Sequence, residues 1–333
     1  MRVERVLVTG ASGFVGGALS LALVRAGRHV TAAARSEITL PDASVADAIR
    51  SDALRRIRVG DLGADTDWSD ALADCSAVVH CAARVHVMSE RAADPTAAFR
   101  VANVDGSVRL AEMAINAGVR RFIFLSSVKV HGEFTLPGFP FTERDVPVPS
   151  DPYGVSKADA EARLREVCGA GGLELAIIRP PLVYGPGVKA NFLSMTRWLS
   201  RGVPLPFGSV TQNRRSLVAL DNLLDLISTC LSHPAAACQT FLAGDGNDLS
   251  TTELLRRTAA ALGLRARLIP VPAALLARGA RLVGRPDLWQ RLGGTLQVSI
   301  DHARVQLGWQ PPLTVDEGLR RAVAARPSAR TTP

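Results

Sequence analysis

The stretch RVLVTGASGFVGG, residues 5–17, decides the fold. A short apolar run ends at Gly10, and Gly13 and Gly16 follow at intervals of three before a helix-like segment. In this spacing Gly10 permits a tight turn, Gly13 lets the backbone approach a pyrophosphate, and Gly16 lets the helix pack on the strand. Free N–H groups at the start of the helix attract phosphate. The stretch therefore predicts a dinucleotide site, with loop contacts from Gly10, Ser12, Gly13, Phe14, Val15 and Gly16.

The first half of the chain alternates apolar runs with helical patterns. The runs typical of buried strands are residues 5–10, 29–35, 57–62, 77–83, 121–127 and 173–180. Helix-like segments lie between them, such as 13–27 and 103–118, and both end in a glycine. This order predicts an α/β fold: a Rossmann-like doubly wound parallel sheet at 1–184, with a smaller C-terminal substrate-binding lobe at 185–333. A segment at about 216–240 is expected to return to the sheet domain.

Composition narrows the class of protein. The chain has no apolar run of the ~18 residues that a membrane span needs, and it enters its first strand without a signal peptide, so we expect a cytoplasmic protein. Its five scattered cysteines, without a CxxC pair or a histidine cluster, predict buried free thiols and no metal site. The net charge of +8 comes from arginines spread along the chain with few aromatics, which argues against nucleic acid as a partner.

The end of the second strand bears on the choice of dinucleotide. An acid there would bind the ribose 2′-hydroxyl of NAD, but the sequence has Ala34 and then Arg35. We therefore expect NADP to be favoured, with NAD possible because Glu37 is a candidate for a displaced acid. Asp61 and Leu62 follow the third strand, where a carboxylate can hydrogen-bond the adenine amine; a helix cap is the alternative role for Asp61.

One of the two tyrosines, Tyr153, stands four residues before one of the three lysines, Lys157. On a helix these residues share a face, and the proline before Tyr153 favours a helix start. A nearby ammonium and a positive nicotinamide ring would both lower the pKa of the tyrosine and make it a usable acid/base. Ser126 and Ser127 end the fifth strand, at the sheet edge where ligands bind in such folds.

T-G-x-x-G-x-x-G, a strand ending in Ser-Ser, and Y-x-x-x-K together resemble the extended short-chain dehydrogenases/reductases, which include sugar-nucleotide epimerases and dehydratases. The resemblance runs from Val3 to about Leu319. It implies that Ser127, Tyr153 and Lys157 form the catalytic set, with Tyr153 as acid/base. Tyr153 and Lys157 would also contact the dinucleotide.

The same resemblance implies further contacts. Those to the dinucleotide would come from Ala82, Ala83, Asn103 and the turn R-P-P-L-V-Y-G-P, through Pro180, Leu182 and Val183. Those to a UDP-sugar would come from Ser126, Asn191, Pro206, Phe207, Arg215 and Arg291. His131 stands where the family usually has a tyrosine.

The sequence indicates the residues of the site more clearly than the reaction that they catalyse. Dehydratases of this family carry an Asp-Glu pair directly after the serine, and here Val128 and Lys129 stand there, which disfavours dehydration. The closest likeness is to a UDP-glucose 4-epimerase-like subgroup that includes the reductase making UDP-N-acetylquinovosamine for surface polysaccharides. We expect a 4-ketoreductase of UDP-4-keto-6-deoxy-N-acetylglucosamine. A UDP-hexose 4-epimerase with tightly bound NAD is the alternative, and a non-catalytic dinucleotide sensor is a minor one.

The resemblance also implies an assembly. In this family, the helices at about 103–116 and 153–168 often form the four-helix interface of a homodimer. The apolar pattern of VRLAEMAINAG, residues 108–118, permits the same contact here.

Overall fold

The computed structural model of the protein describes residues 4–38, 45–85, 94–188 and 191–324, and at 191 and 286–288 it describes the backbone only. The sheet domain contains the following elements in chain order: β1 (Arg5–Thr9), α1 (Phe14–Arg25), β2 (His29–Ala34), α2 (Val45–Arg50), β3 (Leu54–Arg58), α3 (Ser69–Leu72), β4 (Cys75–His80), α4 (Pro95–Arg100), α5 (Gly106–Asn116), β5 (Arg121–Leu125), α6 (Pro152–Gly171) and β6 (Glu174–Arg179). A π-helical turn, Val101–Asp105, joins α4 to α5.

The chain after Arg179 contains β7 (Leu182–Tyr184), α7 (Asn191–Ser200), β8 (Leu217–Ala219), α8 (Leu220–Ser232), β9 (Thr240–Leu242), α9 (Thr251–Ala261), α10 (Ala273–Leu282), α11 (Pro286–Gly293), α12 (Asp301–Leu307) and α13 (Val315–Ala324). Single turns of 3-10 helix lie at Val128–Val130 and Pro234–Ala236. β7 and β8 pair as a separate two-stranded sheet.

Seven strands form a parallel sheet in the order β3-β2-β1-β4-β5-β6-β9. All five residues of β1 are buried, as expected for a central strand covered by helices on both faces. One apolar cluster packs α1 and α8 on one face, and a second packs α5 and α6 on the other. The predicted doubly wound α/β fold is confirmed.

The third strand was misplaced by the sequence analysis. It spans Leu54–Arg58 rather than 57–62, and Gly60 and Asp61 lie in the loop beyond it. The strand reads LRRIR, and the exposed Arg56 and Arg58 alternate with less exposed residues because β3 is an edge strand with one solvent-facing side. Strands were predicted here from apolar runs, and an edge strand with a solvent-facing side does not contain such a run.

The C-terminal half returns to the main sheet twice. α8 lies within the segment expected to return and packs against α1, while β9, at the end of that segment, pairs with β6. Ile300, Leu307 and Trp309 pack into the same apolar cluster, although they lie in the range assigned to the lobe. The boundary between the two lobes itself stays a prediction.

Of the other expectations from the sequence, some are confirmed, one is wrong and one stays a prediction. The helices 13–27 and 103–118 are present, and Gly27 and Gly118 adopt positive φ at their ends. All five cysteines are free, but Cys238 is exposed, whereas buried thiols were expected. Across the described ranges, no helix combines the length and apolarity that crossing a bilayer requires. A cytoplasmic location stays a prediction.

Candidate active site

The glycine loop forms a cradle at the start of α1. The amide of Gly13 donates to the Gly10 carbonyl at 2.8 Å, and Ala11 donates to Ala33 at 3.1 Å, so the loop is fixed against β2. Gly10 has φ of +68°, and a Cβ there would lie 2.8 Å from the amide nitrogen of Ala82. A Cβ on Gly16 would lie 2.4 Å from the Gly10 carbonyl oxygen. Larger residues therefore cannot build this turn.

The residues present fit a dinucleotide. Gly13 caps α1 without a side-chain hydrogen bond, and Ser12 and Gly13 are exposed, so no capping side chain blocks the N–H groups of the first turn. Phe14 and Val15 are half-buried behind them. An exposed helix N-terminus with free amides and no side chain in front of it suits a pyrophosphate.

Arg35 and Asp61, the two residues predicted to contact the adenosine part of the dinucleotide, lie against each other. Arg35 Nη1 is 3.0 Å from Asp61 Oδ1, and both side chains are exposed. Ser36 donates to Ser12 at 3.2 Å, which places the end of β2 beside the glycine loop. The positive charge of Arg35 is thus partly compensated by a carboxylate, a contact that their separation in sequence did not reveal.

A hydrogen-bond chain that sequence reasoning missed fixes the loop after β4. Burial, and secondly Lys157, lower the pKa of His80 to about 3, so its ring is neutral. Ser107 donates to the Asn103 carbonyl at 2.6 Å, so His80 Nε2 must donate to Ser107. His80 Nδ1 then accepts from Thr9 at 2.7 Å, and Thr9 accepts from the Ala82 amide at 3.1 Å. The chain assigns one tautomer and positions Ala82 and Ala83 next to the glycine loop.

Asn103 lies in the π-helical turn and is buried. Its amide nitrogen donates to the Arg84 carbonyl at 3.0 Å and to Ser156 at 2.9 Å, and its oxygen accepts from the Arg84 amide at 2.7 Å. Both amide hydrogens are therefore used within the protein. The side chain joins the β4 loop to α6, and only an oxygen lone pair is left for the dinucleotide contact expected of it.

The first turn of α6 presents Tyr153. Asp151 caps the helix by accepting from the Gly154 amide at 2.6 Å, and Pro152 follows at the first helical position. The Tyr153 ring meets Phe99 edge-on at 6.1 Å, and the Ser127 side chain is close enough to the Tyr153 hydroxyl to lower its pKa. The structure thus brings the predicted serine and tyrosine together at the carboxyl end of β5.

Lys157 lies one turn further along the same helix and is buried, with 2% of its surface exposed. Its ammonium donates to the Leu125 carbonyl at 2.8 Å and lies 4.3 Å from the centre of the Phe124 ring. Burial lowers the pKa of Lys157 to about 8. A buried cation with these two partners is well placed to receive a further oxygen ligand, such as a sugar hydroxyl.

The expected lowering of the tyrosine pKa is wrong for the protein alone. Burial, then the charge of Asp151, raises the pKa of Tyr153 to about 12, and the nearby Ser127 side chain only partly offsets this. Lys157 is not among the charges that act on it. Without a positive ligand nearby, Tyr153 is a protonated acid at neutral pH.

A second buried network lies directly behind the site. Glu161 accepts from Arg179 at 2.9 and 2.5 Å and from Ser126 at 2.6 Å. Arg179 Nη1 lies 2.7 Å from His131 Nε2, and the His131 ring stacks on Phe141 at 5.0 Å. Ser126 therefore turns inward, 3% exposed, and its geometry does not support the substrate contact expected of it.

The residues of the C-terminal half that were expected to contact a UDP-sugar differ in burial and in their partners. The Arg215 guanidinium is half-buried and donates to the Gly294 carbonyl at 3.2 Å; within the described ranges no carboxylate lies within salt-bridge distance of it, and burial lowers its pKa. Phe207 packs against an apolar cluster of the lobe. Pro206 is half-buried and Arg291 exposed, while the side chain of Asn191 lies outside the described residues.

The turn after β6 carries the last of the expected contacts. Pro180 is buried and its carbonyl accepts from the Val128 amide at 3.0 Å, so this turn is joined to the segment after Ser127. Leu182 is exposed and Val183 half-buried at the start of β7.

Comparison with known proteins identifies the family of this chain. Residues 6–244 match the NAD dependent epimerase/dehydratase family. The chain is 46% identical over 322 residues to UDP-glucose 4-epimerase from Vibrio cholerae, covering 97% of this chain and 95% of the relative. It is 30% identical over 340 residues to UDP-glucose 4-epimerase from Mycolicibacterium smegmatis, covering 96% and 97%.

Among solved structures, MoeE5 in complex with UDP-glucuronic acid and NAD superposes with a TM-score of 0.72 at 25% identity, covering 97% of this chain and 98% of that one. The Thermotoga maritima UDP-glucose 4-epimerase shares the fold at 22% identity and a TM-score of 0.73. This chain belongs to the NAD-dependent epimerase/dehydratase family and has the extended short-chain dehydrogenase/reductase fold.

Removing either member of the buried ion pair should be costly. Glu161→Leu or Arg179→Met leaves an uncompensated buried charge, so each should lower the free energy of unfolding by about 3–5 kcal/mol. The double variant should be no less stable than either single variant. Arg165→Gln is the control, because Arg165 contacts the same carboxylate at 3.2 Å from a half-exposed position and should cost less than about 1 kcal/mol. Urea unfolding measures all four, and additive losses would contradict the coupling.

Acid should destabilise the protein through His131. Burial and the charge of Arg179 lower its folded pKa to about 4, while the unfolded value is near 6.5, so the unfolded state binds more protons between these values. Stability should therefore fall as pH drops from about 6.5 to 4, by at most ~1.4 kcal/mol per pH unit from this group. His131→Phe should flatten that slope when unfolding is followed against pH. An unchanged slope would show that His131 does not titrate as described.

Proposed function

We propose that this protein is a UDP-sugar 4-epimerase that keeps NAD bound through the reaction. The observation that carries the proposal is the proximity of Ser127 to the Tyr153 hydroxyl, with buried Lys157 one helical turn away, at the sheet edge beside the glycine loop. The names of both curated relatives support the 4-epimerase assignment over the reductase expected from sequence. The NAD in the MoeE5 complex supports the choice of dinucleotide.

The proposed chemistry uses one acid/base group twice. The chemistry that a bound nicotinamide dinucleotide would supply is acceptance of the hydride from C4 of the sugar and its later return to C4. Tyr153 would take the proton of the C4 hydroxyl and, after the ketosugar has turned over so that the hydride adds to the opposite face of C4, would return a proton to the same oxygen, to which Ser127 would donate a hydrogen bond. Lys157 would hold a ribose hydroxyl of the dinucleotide. No net oxidation results, so no second substrate is needed.

The raised pKa of Tyr153 fits this scheme. A phenol whose pKa is about 12 is a poor base, and a positive charge close to it would favour the phenolate. The oxidised nicotinamide ring carries such a charge. The proposal thus makes Tyr153 a base only when oxidised dinucleotide is present, which is the state that must begin an epimerisation.

Dehydration is disfavoured by the residues that follow Ser127. Val128 is buried and apolar. Lys129 forms ion pairs with Glu133 at 2.8 Å and with Asp151, and although burial opposes them, these carboxylates raise its pKa. A lysine held charged in this way cannot replace the acid/base carboxylates of a dehydratase.

The nucleotide of the substrate is assigned to the C-terminal lobe. Arg215 is the leading candidate for the diphosphate, because its guanidinium is desolvated and has only a carbonyl as hydrogen-bond partner among the described residues. Arg291, Asn191 and the Pro206–Phe207 pair complete the proposed site.

The 4-ketoreductase with NADPH is the second candidate. One observation favours it: Arg35 at the end of β2, where a 2′-phosphate would need a cation. The contact with Asp61 weakens this argument, because a phosphate there would have to displace or repel that carboxylate.

A homodimer through α5 and α6 also stays a proposal.

Tyr153→Phe tests the catalytic assignment. Loss of the only acid/base group should reduce conversion of UDP-glucose to UDP-galactose by about 10³-fold, while leaving UDP-sugar binding nearly unchanged. Tyr184→Phe is the matched control, because Tyr184, the other tyrosine, is buried and bonded to Asp245 at 2.7 Å. It should keep activity within about threefold despite some loss of stability. Full activity in Tyr153→Phe would refute the assignment.

Asp61→Asn tests the cofactor proposal. If the carboxylate offsets Arg35, removing its charge should improve binding of NADP relative to NAD by about tenfold, or ~1.4 kcal/mol. Glu37→Gln removes a charge from the same exposed segment without the contact to Arg35 and should change the ratio little. Titration calorimetry on dinucleotide-stripped protein measures both affinities. An unchanged ratio in Asp61→Asn would contradict the compensation.

A further inference from the structure

Helix α10 (Ala273–Leu282) is held to the protein along one side only. It packs on α11, and no residue of α10 is fully buried. Its alanines at 273, 277 and 280 and Leu276 are half-buried and so form the attached side. The opposite side is fully exposed to solvent.

Large apolar residues occupy that exposed side. Leu275 and Leu282 are 60% and 81% exposed, and they lie seven residues apart, so they point the same way. Val283, 73% exposed, follows at the end of the helix. Leucines in this arrangement need a covering partner or a non-aqueous surface.

Arginines surround these leucines. Arg278, Arg281 and Arg285 are exposed, and in the described part of the chain none of them has a salt bridge. Between Leu264 and Ile300 the sequence contains six arginines and one acidic residue, a net charge of +5 out of the chain's +8. Much of the positive charge is thus concentrated in the segment of the chain that contains α10.

We propose that the outer face of α10 is a docking surface for anionic phospholipid bilayers. Leucines on a helix lying in the bilayer interface enter the acyl boundary, while the long arginine side chains reach anionic headgroups. A second copy of the chain is a poorer occupant, because it would bring the same arginines against one another. A nucleic acid would use the charges but not the leucines.

The surface is tested by sedimentation of the full-length protein with vesicles. The wild type should bind vesicles of phosphatidylglycerol and phosphatidylcholine in equal parts at low salt. It should bind pure phosphatidylcholine vesicles much less, and it should be released by added salt. The triple variant Arg278→Gln, Arg281→Gln, Arg285→Gln should bind the anionic vesicles on the order of 100-fold less tightly, since each arginine near such a surface contributes about fivefold.

Two comparisons separate this surface from general positive charge. Arg201→Gln, Arg256→Gln, Arg320→Gln removes the same charge from exposed positions on other helices or turns and should lose less than about tenfold. Leu275→Gln, Leu282→Gln should weaken vesicle binding at unchanged net charge. Circular dichroism verifies that each variant is folded.

Several outcomes would overturn the proposal. These are no binding of the wild type to anionic vesicles, equal losses in the two arginine variants, or full binding by the leucine variant. Loss of self-association by the leucine variant in sedimentation velocity, without a change in vesicle binding, would assign the face to a second copy. Tight binding of a DNA oligonucleotide that needs the three arginines but not the leucines would assign it to a polyanion.

Discussion

The buried ion pair between Glu161 and Arg179 is the interaction on which the site depends. It joins α6, which carries Tyr153 and Lys157, to β6, which lies between β5 and β9 in the sheet. Through Ser126 the same carboxylate fixes the end of β5, and Ser127 is the next residue. Burying two charges is favourable only when their geometry is satisfied, so the pair permits one arrangement of helix and strand. Ser127 and Tyr153, the serine and tyrosine proposed to be catalytic, lie together because the ion pair behind them holds this arrangement.

The network also reaches the C-terminal lobe. Arg179 contacts His131, and His131 stacks on Phe141, whose backbone bonds to Gln297 and Ser299. His131 thus links the segment after β5 to the lobe proposed to hold the substrate. On the other side of the site, the neutral His80 chain fixes the loop beside the glycines. Two buried histidines, both held uncharged, support the site without contacting the reacting atoms.

Much of this architecture was predictable because its signals are local. The glycine spacing, the alternation of strands and helices, and the four-residue step from Tyr153 to Lys157 each reflect backbone geometry over a few residues. The partners of buried polar groups were not predictable, since they lie far apart in sequence. Ser126 was expected to face the substrate but bonds Glu161, 35 residues away. Asp61 compensates Arg35 from 26 residues away, which undermines the NADP preference inferred from the arginine alone.

The measurement that tests the central claim most directly follows the hydrogen at C4. The purified protein, with no dinucleotide added, is incubated with UDP-glucose in heavy water, and the products are followed by proton NMR. A 4-epimerase that returns its own hydride should form UDP-galactose with the C4 hydrogen retained and no deuterium incorporated there. Absence of conversion, together with stoichiometric consumption of NADPH when UDP-4-keto-6-deoxy-N-acetylglucosamine is supplied, would contradict the account and establish a 4-ketoreductase.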